Sequence, residues 1–165
     1  MLQVALVEPE IPPNTGNVGR LCAATGARLH LVGRLGFQID DKTLKRAGMD
    51  YWQHLDWHRH AAFTDLEEYL AGGQFVGRLI CFTTRAERPY TSIRYQPGDC
   101  LVFGSESRGL APEILARHRG LAVTLPMPGR QGSPAGAVRS INLATAVAVG
   151  LYEGLRQIQG WEGPA

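Results

Sequence analysis

The chain has 165 residues, a formal net charge of +2 and 44% hydrophobic residues. Those figures describe one globular domain, 1–165, that buries roughly 70% of its unfolded surface, and they exclude a disordered chain. Charge alone does not announce a nucleic-acid partner, but its kind is informative: fifteen arginines stand against two lysines. Arginine suits bidentate contacts to phosphate and stacking on bases, although a GC-rich codon bias would give the same excess.

The cysteines, Cys22, Cys81 and Cys100, are odd in number, form no CxxC pair and sit in apolar runs. Buried free thiols and a reducing compartment are expected. The apolar run Leu2–Val7 lacks a basic flank and is too short for a signal peptide or a membrane span. A cytoplasmic, soluble protein with no membrane partner follows as the expectation.

In chain order, Leu2–Val7 reads as a buried strand. Pro9, Pro12 and Pro13 keep Glu8–Pro13 from being helical throughout. Asn14 or Thr15 is then expected to cap a helix running to about Thr25, stopped by Gly26. Arg28–Val32 reads as a strand. Asp40 to Arg46 reads as a short helix closed by Gly48, and Thr64–Leu70 as a helix with a Thr64/Glu67 capping box. Leu79–Thr83 and Cys100–Phe103 read as strands, Pro112–Arg117 as a short helix and Leu121–Leu125 as the last strand. The Gly/Pro-rich loop Pro126–Ala137 leads to a helix from about Ser140 to Ile158. Alternating strands and helices predict an α/β fold with a mainly parallel sheet covered on both faces. Ligands then belong at the carboxyl ends of the strands. The loops to search are Glu8–Asn17, Gly104–Gly109 and Pro126–Arg139.

Several familiar signatures fail there. Gly104–Gly109 has P-loop glycine spacing, but Leu110 and Ala111 stand where Lys and Ser/Thr are needed. No GxGxxG follows a strand. Ser105-Glu-Ser107-Arg-Gly109 lacks the first glycine of a nucleophile elbow, and no histidine is placed to pair with Ser107. His54 and His58 would share a face if they were helical, with His60 nearby, but DWHRH alternates like a strand and Trp52, Trp57 and Phe63 offer ordinary packing. No metal site is expected.

Three blocks carry chemistry. In the first, Glu8-Pro-Glu-Ile-Pro-Pro-Asn14-Thr-Gly-Asn17-Val-Gly-Arg20, the residues Asn14, Asn17 and Arg20 recur every third position near a helix N-terminus, an expected phosphate site. An N-cap Asn and a solvated Arg would look the same. In the second, Leu101-Val-Phe-Gly104-Ser-Glu106-Ser-Arg-Gly109, a buried strand ends at a glycine that would let a ligand approach, or that makes a plain left-handed turn. In the third, Leu125-Pro-Met127 precedes a loop and then Arg139-Ser-Ile-Asn142-Leu, with Ser140 as candidate helix cap. Ala144, Ala146, Ala148 and Gly150 permit close helix packing, and Val147, Leu151, Leu155 and Ile158 form an apolar stripe that suits a core or a subunit interface.

In this order and spacing the blocks resemble the three motifs of the SPOUT superfamily of RNA 2′-O-ribose methyltransferases, and most closely its small tRNA wobble-position members. The stretch Gly36–Tyr51 fits the same family, so the resemblance runs from residue 2 to about 157. It implies an α/β fold with a C-terminal trefoil knot, a homodimer, S-adenosylmethionine as methyl donor and S-adenosylhomocysteine as product. It implies cofactor contacts at Phe82, Thr83, Gly104, Leu125, Met127 and Ser140. It implies tRNA, at the anticodon stem-loop, as partner. Catalysis falls to Arg20, with Asn14 and Glu106 orienting it and Ser140 relaying a proton. A guanidinium hardly deprotonates, so Arg20 is expected to grip phosphate and stabilise an alkoxide rather than act as base. Two departures stand out: the long segment Pro128–Val138 between Met127 and Arg139, and Ala144-Thr145 where Ser-Asn is common. A catalytically silent RNA-binding module, and an enzyme for another tRNA or rRNA position, are the alternatives.

Overall fold

The computed structural model describes residues 1–37, 50–72, 77–130 and 138–161. Its elements are β1 (Gln3–Val7), α1 (Pro12–Thr25), β2 (Arg28–Val32), β3 (Trp57–His60), α2 (Phe63–Gly72), β4 (Leu79–Phe82), β5 (Cys100–Phe103), α3 (Pro112–Arg117), β6 (Ala122–Val123) and α4 (Leu143–Gln159), with short 3₁₀ turns between some of them. The six strands form one sheet in the order β3-β2-β1-β5-β4-β6, and every pairing between them is parallel.

The apolar runs make sense in this sheet because both faces are covered. Val4, Leu6, Leu29, Leu31, Ile80, Phe82, Leu101 and Phe103 point to the side where α1 and α4 pack. Ala5, Val7, Cys81, Cys100 and Val102 point to the opposite side, where α2 and α3 add Phe63, Leu66, Leu70 and Ile114. Strands buried on both faces read as continuous hydrophobic runs, which is how β1, β4 and β5 appear in the sequence. The three cysteines are buried and unpaired. Burial pushes the Cys22 and Cys81 thiols up to about 12 and that of Cys100 higher still.

Several boundaries differ from expectation. Helix α1 begins at Pro12, not after Asn14, because Pro12 and Pro13 occupy its first turn, where a missing N–H removes no hydrogen bond. It ends as expected, at Gly26 with φ 71°. Helix α2 begins at Phe63, and in place of the Thr64/Glu67 box Asp65 Oδ2 accepts from the Ala62 amide at 3.0 Å. Helix α4 begins at Leu143, capped by Asn142 rather than Ser140: Asn142 Oδ1 accepts from the Thr145 amide at 3.3 Å. Strand β6 is only Ala122–Val123, because at Thr124 the chain turns to pair with the loop before it. The Thr124 amide donates to Arg88 O at 2.8 Å, and the Tyr90 amide to Thr124 O at 2.9 Å. The expected helix from Asp40 to Arg46, and most of the long Pro128–Val138 segment, lie outside the described residues.

The small residues of α4 do what their size suggests. A side chain at Gly150 would meet the Phe82 ring at 2.8 Å, and one at Gly154 would meet Leu2 at 2.7 Å. The helix therefore lies directly on the sheet, with Val147, Leu151 and Leu155 in the core and Ile158 partly buried beside them.

Candidate active site

The carboxyl ends of β4, β5 and β6 open on a cavity of ≈ 490 Å³. Phe82, Thr83, Gly104, Leu125, Met127 and Ser140 all line it, and so do Asn14 and Glu106. Three blocks far apart in sequence thus meet at one site, where open parallel sheets place their ligands. Its walls are mixed. Phe82 and Phe103 stack with ring centroids 4.5 Å apart, Leu125 and Leu143 add aliphatic surface, and the loops after the strands bring backbone polar groups and hydroxyls. Arg85, Arg108 and Arg139 also reach the lining.

The polar framework is a relay of amides ending on a carboxylate. Glu106 accepts from the Glu10 amide at 2.8 Å, the Ile11 amide at 3.3 Å and Asn14 Nδ2 at 2.9 Å. A carboxylate only accepts, so Asn14 must offer it the NH₂ group, which leaves Asn14 Oδ1 for Asn142 Nδ2 at 3.0 Å. The Thr145 amide holds Asn142 in the matching orientation. The first and second blocks are clasped a second time: the Ser107 amide and hydroxyl donate to the Glu10 carboxylate at 3.0 and 2.7 Å. Those two bonds hold the Glu10 carboxyl below the usual carboxylate range.

This framework refines the expectations for the helix end and for the glycine turn. The anion at the N-terminus of α1 is the protein's own Glu106, so the phosphate site expected there is already filled. Gly104 lines the cavity but is not the left-handed residue of its loop. A side chain on it would come within 2.0 Å of the Gly109 carbonyl carbon, because the loop folds back on itself through the Ser105–Gly109 bridge. The left-handed residue of this loop is Gly109, at φ 70°. Leading into the site, Glu8 adopts φ 51°, the one non-glycine residue with positive φ among those described.

Arg20 lies elsewhere. It is six positions after Asn14, about 240° round the helix, and it is exposed and absent from the cavity lining. Asn14 and Glu106 bond each other, Asn142 and the Glu10 and Ile11 amides, so within this chain they do not orient Arg20 as expected. Its guanidinium carbon instead sits 5.2 Å from the centroid of the Tyr51 ring. Burial raises the Tyr51 phenol above its ordinary value, against a hydrogen bond with Arg20 and the charge of Arg20 that pull it down. Ser140 is exposed at the cavity rim.

Asn142 was missed as a site residue, although Asn is as good a cap as Ser and stands two positions later in the same block. The histidines hold a different surprise. His54 and His58 share no helix, and the buried members of the cluster are His30 on β2 and His60 on β3. His30 Nε2 faces Gln3 Oε1 at 2.9 Å and its Nδ1 faces His60 Nε2 at 3.0 Å. Gln3 Oε1 accepts, so His30 carries its proton on Nε2 and accepts from His60 on Nδ1. Among the described residues, no group of three His, Cys, Asp or Glu could hold a metal ion, and no helix is long and apolar enough to cross a membrane.

A six-stranded parallel sheet with helices on both faces, opening at its carboxyl edge on a cavity built from these three blocks, is the construction of the SPOUT class of methyltransferases. The chain belongs to the SpoU rRNA Methylase family, whose model matches residues 1–152. It is 46% identical over 167 residues to a tRNA (cytidine(34)-2′-O)-methyltransferase of Burkholderia pseudomallei, with 100% of each chain covered. A solved structure described as giving insight into the 2-OH methylation of C/U34 on tRNA superposes with a TM-score of 0.84 at 46% identity, covering 97% of both chains. An AdoMet-bound rRNA methyltransferase from Sinorhizobium meliloti superposes with a TM-score of 0.74 at 28% identity, covering 94% of this chain and 56% of that one.

Proposed function

We propose that this protein transfers a methyl group from S-adenosylmethionine to the ribose 2′-hydroxyl of the wobble nucleotide of tRNA, leaving S-adenosylhomocysteine. The observation that carries the reading is the cavity: its lining contains every residue expected to hold the cofactor, together with Asn14 and Glu106. Its volume lies in the range of small-molecule sites, and its apolar walls with backbone polar groups suit an adenine and a methionine tail. Phe82, Thr83, Gly104, Leu125, Met127 and Ser140 would hold that group. The choice of nucleotide 34 rests on the relatives, as does tRNA, through its anticodon stem-loop, as partner.

When bound, the cofactor supplies an electrophilic methyl group on a sulfonium, so the transfer needs no metal. The chain's own residues must align the acceptor and manage its proton. The Asn142–Asn14–Glu106 relay locks the starts of α1 and α4 at the cavity and keeps Glu106 from facing it as an unpaired charge. Ser140, exposed at the rim, passes on the proton of the 2′-hydroxyl. Arg20 grips the adjoining phosphate and stabilises the developing alkoxide, a role that suits a group that stays protonated.

Because Arg20 and the cavity lie on different sides of α1, the reading includes a homodimer in which one protomer's Arg20 serves its partner's cavity. Exposed Val149 and Tyr152 on α4, with Trp161 beyond it, offer apolar surface for such an interface. A C-terminal trefoil knot is part of the same reading. It is supported by the family match and by the superposition on solved methyltransferases. A cytoplasmic location goes with the substrate and with the buried, unpaired thiols.

The test is incubation of the purified protein with S-adenosylmethionine and unmodified tRNA, followed by nucleoside mass spectrometry and mapping of the product. The expected result is 2′-O-methylcytidine or 2′-O-methyluridine at position 34. Methylation confined to another tRNA position or to rRNA would move the substrate, and cofactor binding without any transfer would make the chain a silent module.

A further inference from the structure

Trp52, next to Tyr51, is the residue that docks the 50–54 turn on α1. A side chain at Gly19 would come within 2.6 Å of the Trp52 ring, so the turn sits against the bare backbone of the helix. Trp52 is 6% exposed and belongs to the core, whereas Tyr51 is half-buried and packs at its margin. Packing alone therefore calls for Trp52 more than for Tyr51. Tyr51 is nonetheless held in place: its hydroxyl donates to the Gly16 carbonyl at 2.6 Å. Gly16 and Arg20 are four positions apart and lie on the same face of α1. One end of the tyrosine is thus pinned to the helix one turn below Arg20, and its ring lies under the guanidinium at 5.2 Å.

We propose that Tyr51 is a positioning residue for the methyl transfer, holding the Arg20 guanidinium on its ring face in the orientation that meets the RNA phosphate. The inference rests on the role assigned to Arg20 above. An exposed arginine samples many rotamers, and fixing it before the substrate arrives removes an ordering penalty of the kind that limits binding. A carboxylate could also fix it, but would neutralise it and compete with the phosphate for its N–H groups. Among the described residues no carboxylate pairs with Arg20. An aromatic face attracts the cation and leaves most of its five donors available. This arrangement suits an arginine that must be both fixed and fully charged.

The experiment compares Tyr51→Leu, Tyr51→Phe and Arg20→Ala with the unaltered protein in the tRNA methylation assay, alongside calorimetric titration with S-adenosylmethionine and thermal melting. Tyr51→Leu is expected to lower kcat/KM for tRNA about tenfold while cofactor affinity stays within about twofold, and Tyr51→Phe, which keeps the ring, to recover most of the loss. Arg20→Ala is expected to abolish transfer. Full activity of Tyr51→Leu beside an inactive Arg20→Ala would overturn the role of Tyr51 and leave that of Arg20 standing. An active Arg20→Ala would remove the reading of Arg20 itself. Loss of activity in step with melting temperature and cofactor affinity, or equal loss in the Phe and Leu variants, would also overturn the proposal, since either outcome assigns Tyr51 to the scaffold.

Discussion

Asn142 donates to Asn14 Oδ1 at 3.0 Å, joining the N-terminal ends of two helices 128 residues apart in sequence. The bond is directional because each amide is oriented by a second partner, Glu106 for Asn14 and the Thr145 amide for Asn142. Exchange of either end therefore propagates to the other.

Glu106→Gln tests that propagation. Glutamine keeps the shape but offers one acceptor oxygen, so its NH₂ must face either the Glu10 amide or the pair formed by Ile11 and Asn14, all of which are donors. The expected loss is about 1–3 kcal/mol of folding stability, with activity falling further as the site loosens. Denaturant melts and methylation rates check it. An unchanged melt would mean that the three donors find other partners.

Arg20→Ala is expected to abolish methylation and leave S-adenosylmethionine affinity nearly intact, because Arg20 does not line the cavity. Single-turnover assays and calorimetry on the same preparation separate the two effects. Normal turnover would sink the assignment.

Stability should fall on acidification below neutrality. Burial, with the charges of His60, His58 and Arg28, pushes the His30 imidazole down to about 3, and burial lowers His60 as well. Asp56 and Asp65 pull in the opposite direction, and Tyr69 of α2 packs against the rings. A histidine whose folded value is depressed binds fewer protons folded than unfolded. Its contribution is thus complete above about 6.5 and declines as pH falls from there towards about 3, by about 1.4 kcal/mol per pH unit for His30. Protonation would also set His30 Nδ1–H against the His60 Nε2–H it now accepts from. Melting temperature measured from pH 8 to 4 should drop more steeply for the wild type than for His30→Gln. Parallel curves would refute the attribution.

Gly104→Ala and Gly109→Ala should separate by severity. The first places a methyl group 2.0 Å from a backbone carbon and should prevent folding of the loop. The second meets nothing within 4 Å and bears only the left-handed conformation, about 1–2 kcal/mol. Soluble yield and melting temperature of the two variants give the comparison.

The thiols should resist alkylation in the folded protein, since a thiol pushed up to about 12 presents almost no thiolate at neutral pH. Mass spectrometry after iodoacetamide should show modification of Cys22, Cys81 and Cys100 rising only with denaturant. Rapid labelling in buffer would contradict their burial.

Much of the fold was legible because β1, β4 and β5 are largely apolar runs bounded by turn residues and buried on both faces. Strand β6 was read too long because its length is set by Thr124 pairing with Arg88 and Tyr90, a contact no local pattern encodes. The blocks of the site were legible as motifs, but not their wiring. Glu106 reaches the amides before α1 across more than ninety residues, so the sequence could suggest an anion site at that helix end without showing that the chain supplies its own anion. Arg20 and Asn14 looked like neighbours at a three-residue spacing, yet six residues of helix turn them to different sides. Tyr51 lies thirty-one residues beyond Arg20, and no local pattern links the two.

The strand order has a consequence for how the protein is made. Strand β1 emerges first but lies between β2 and β5, so one of its edges waits until Phe103 has been synthesised. Until then β1 has β2 as its only available partner and its other backbone edge is unpaired, the kind of edge on which nascent chains join one another. The interval between residues 60 and 103 is therefore the stretch of synthesis over which that edge lacks its native cover.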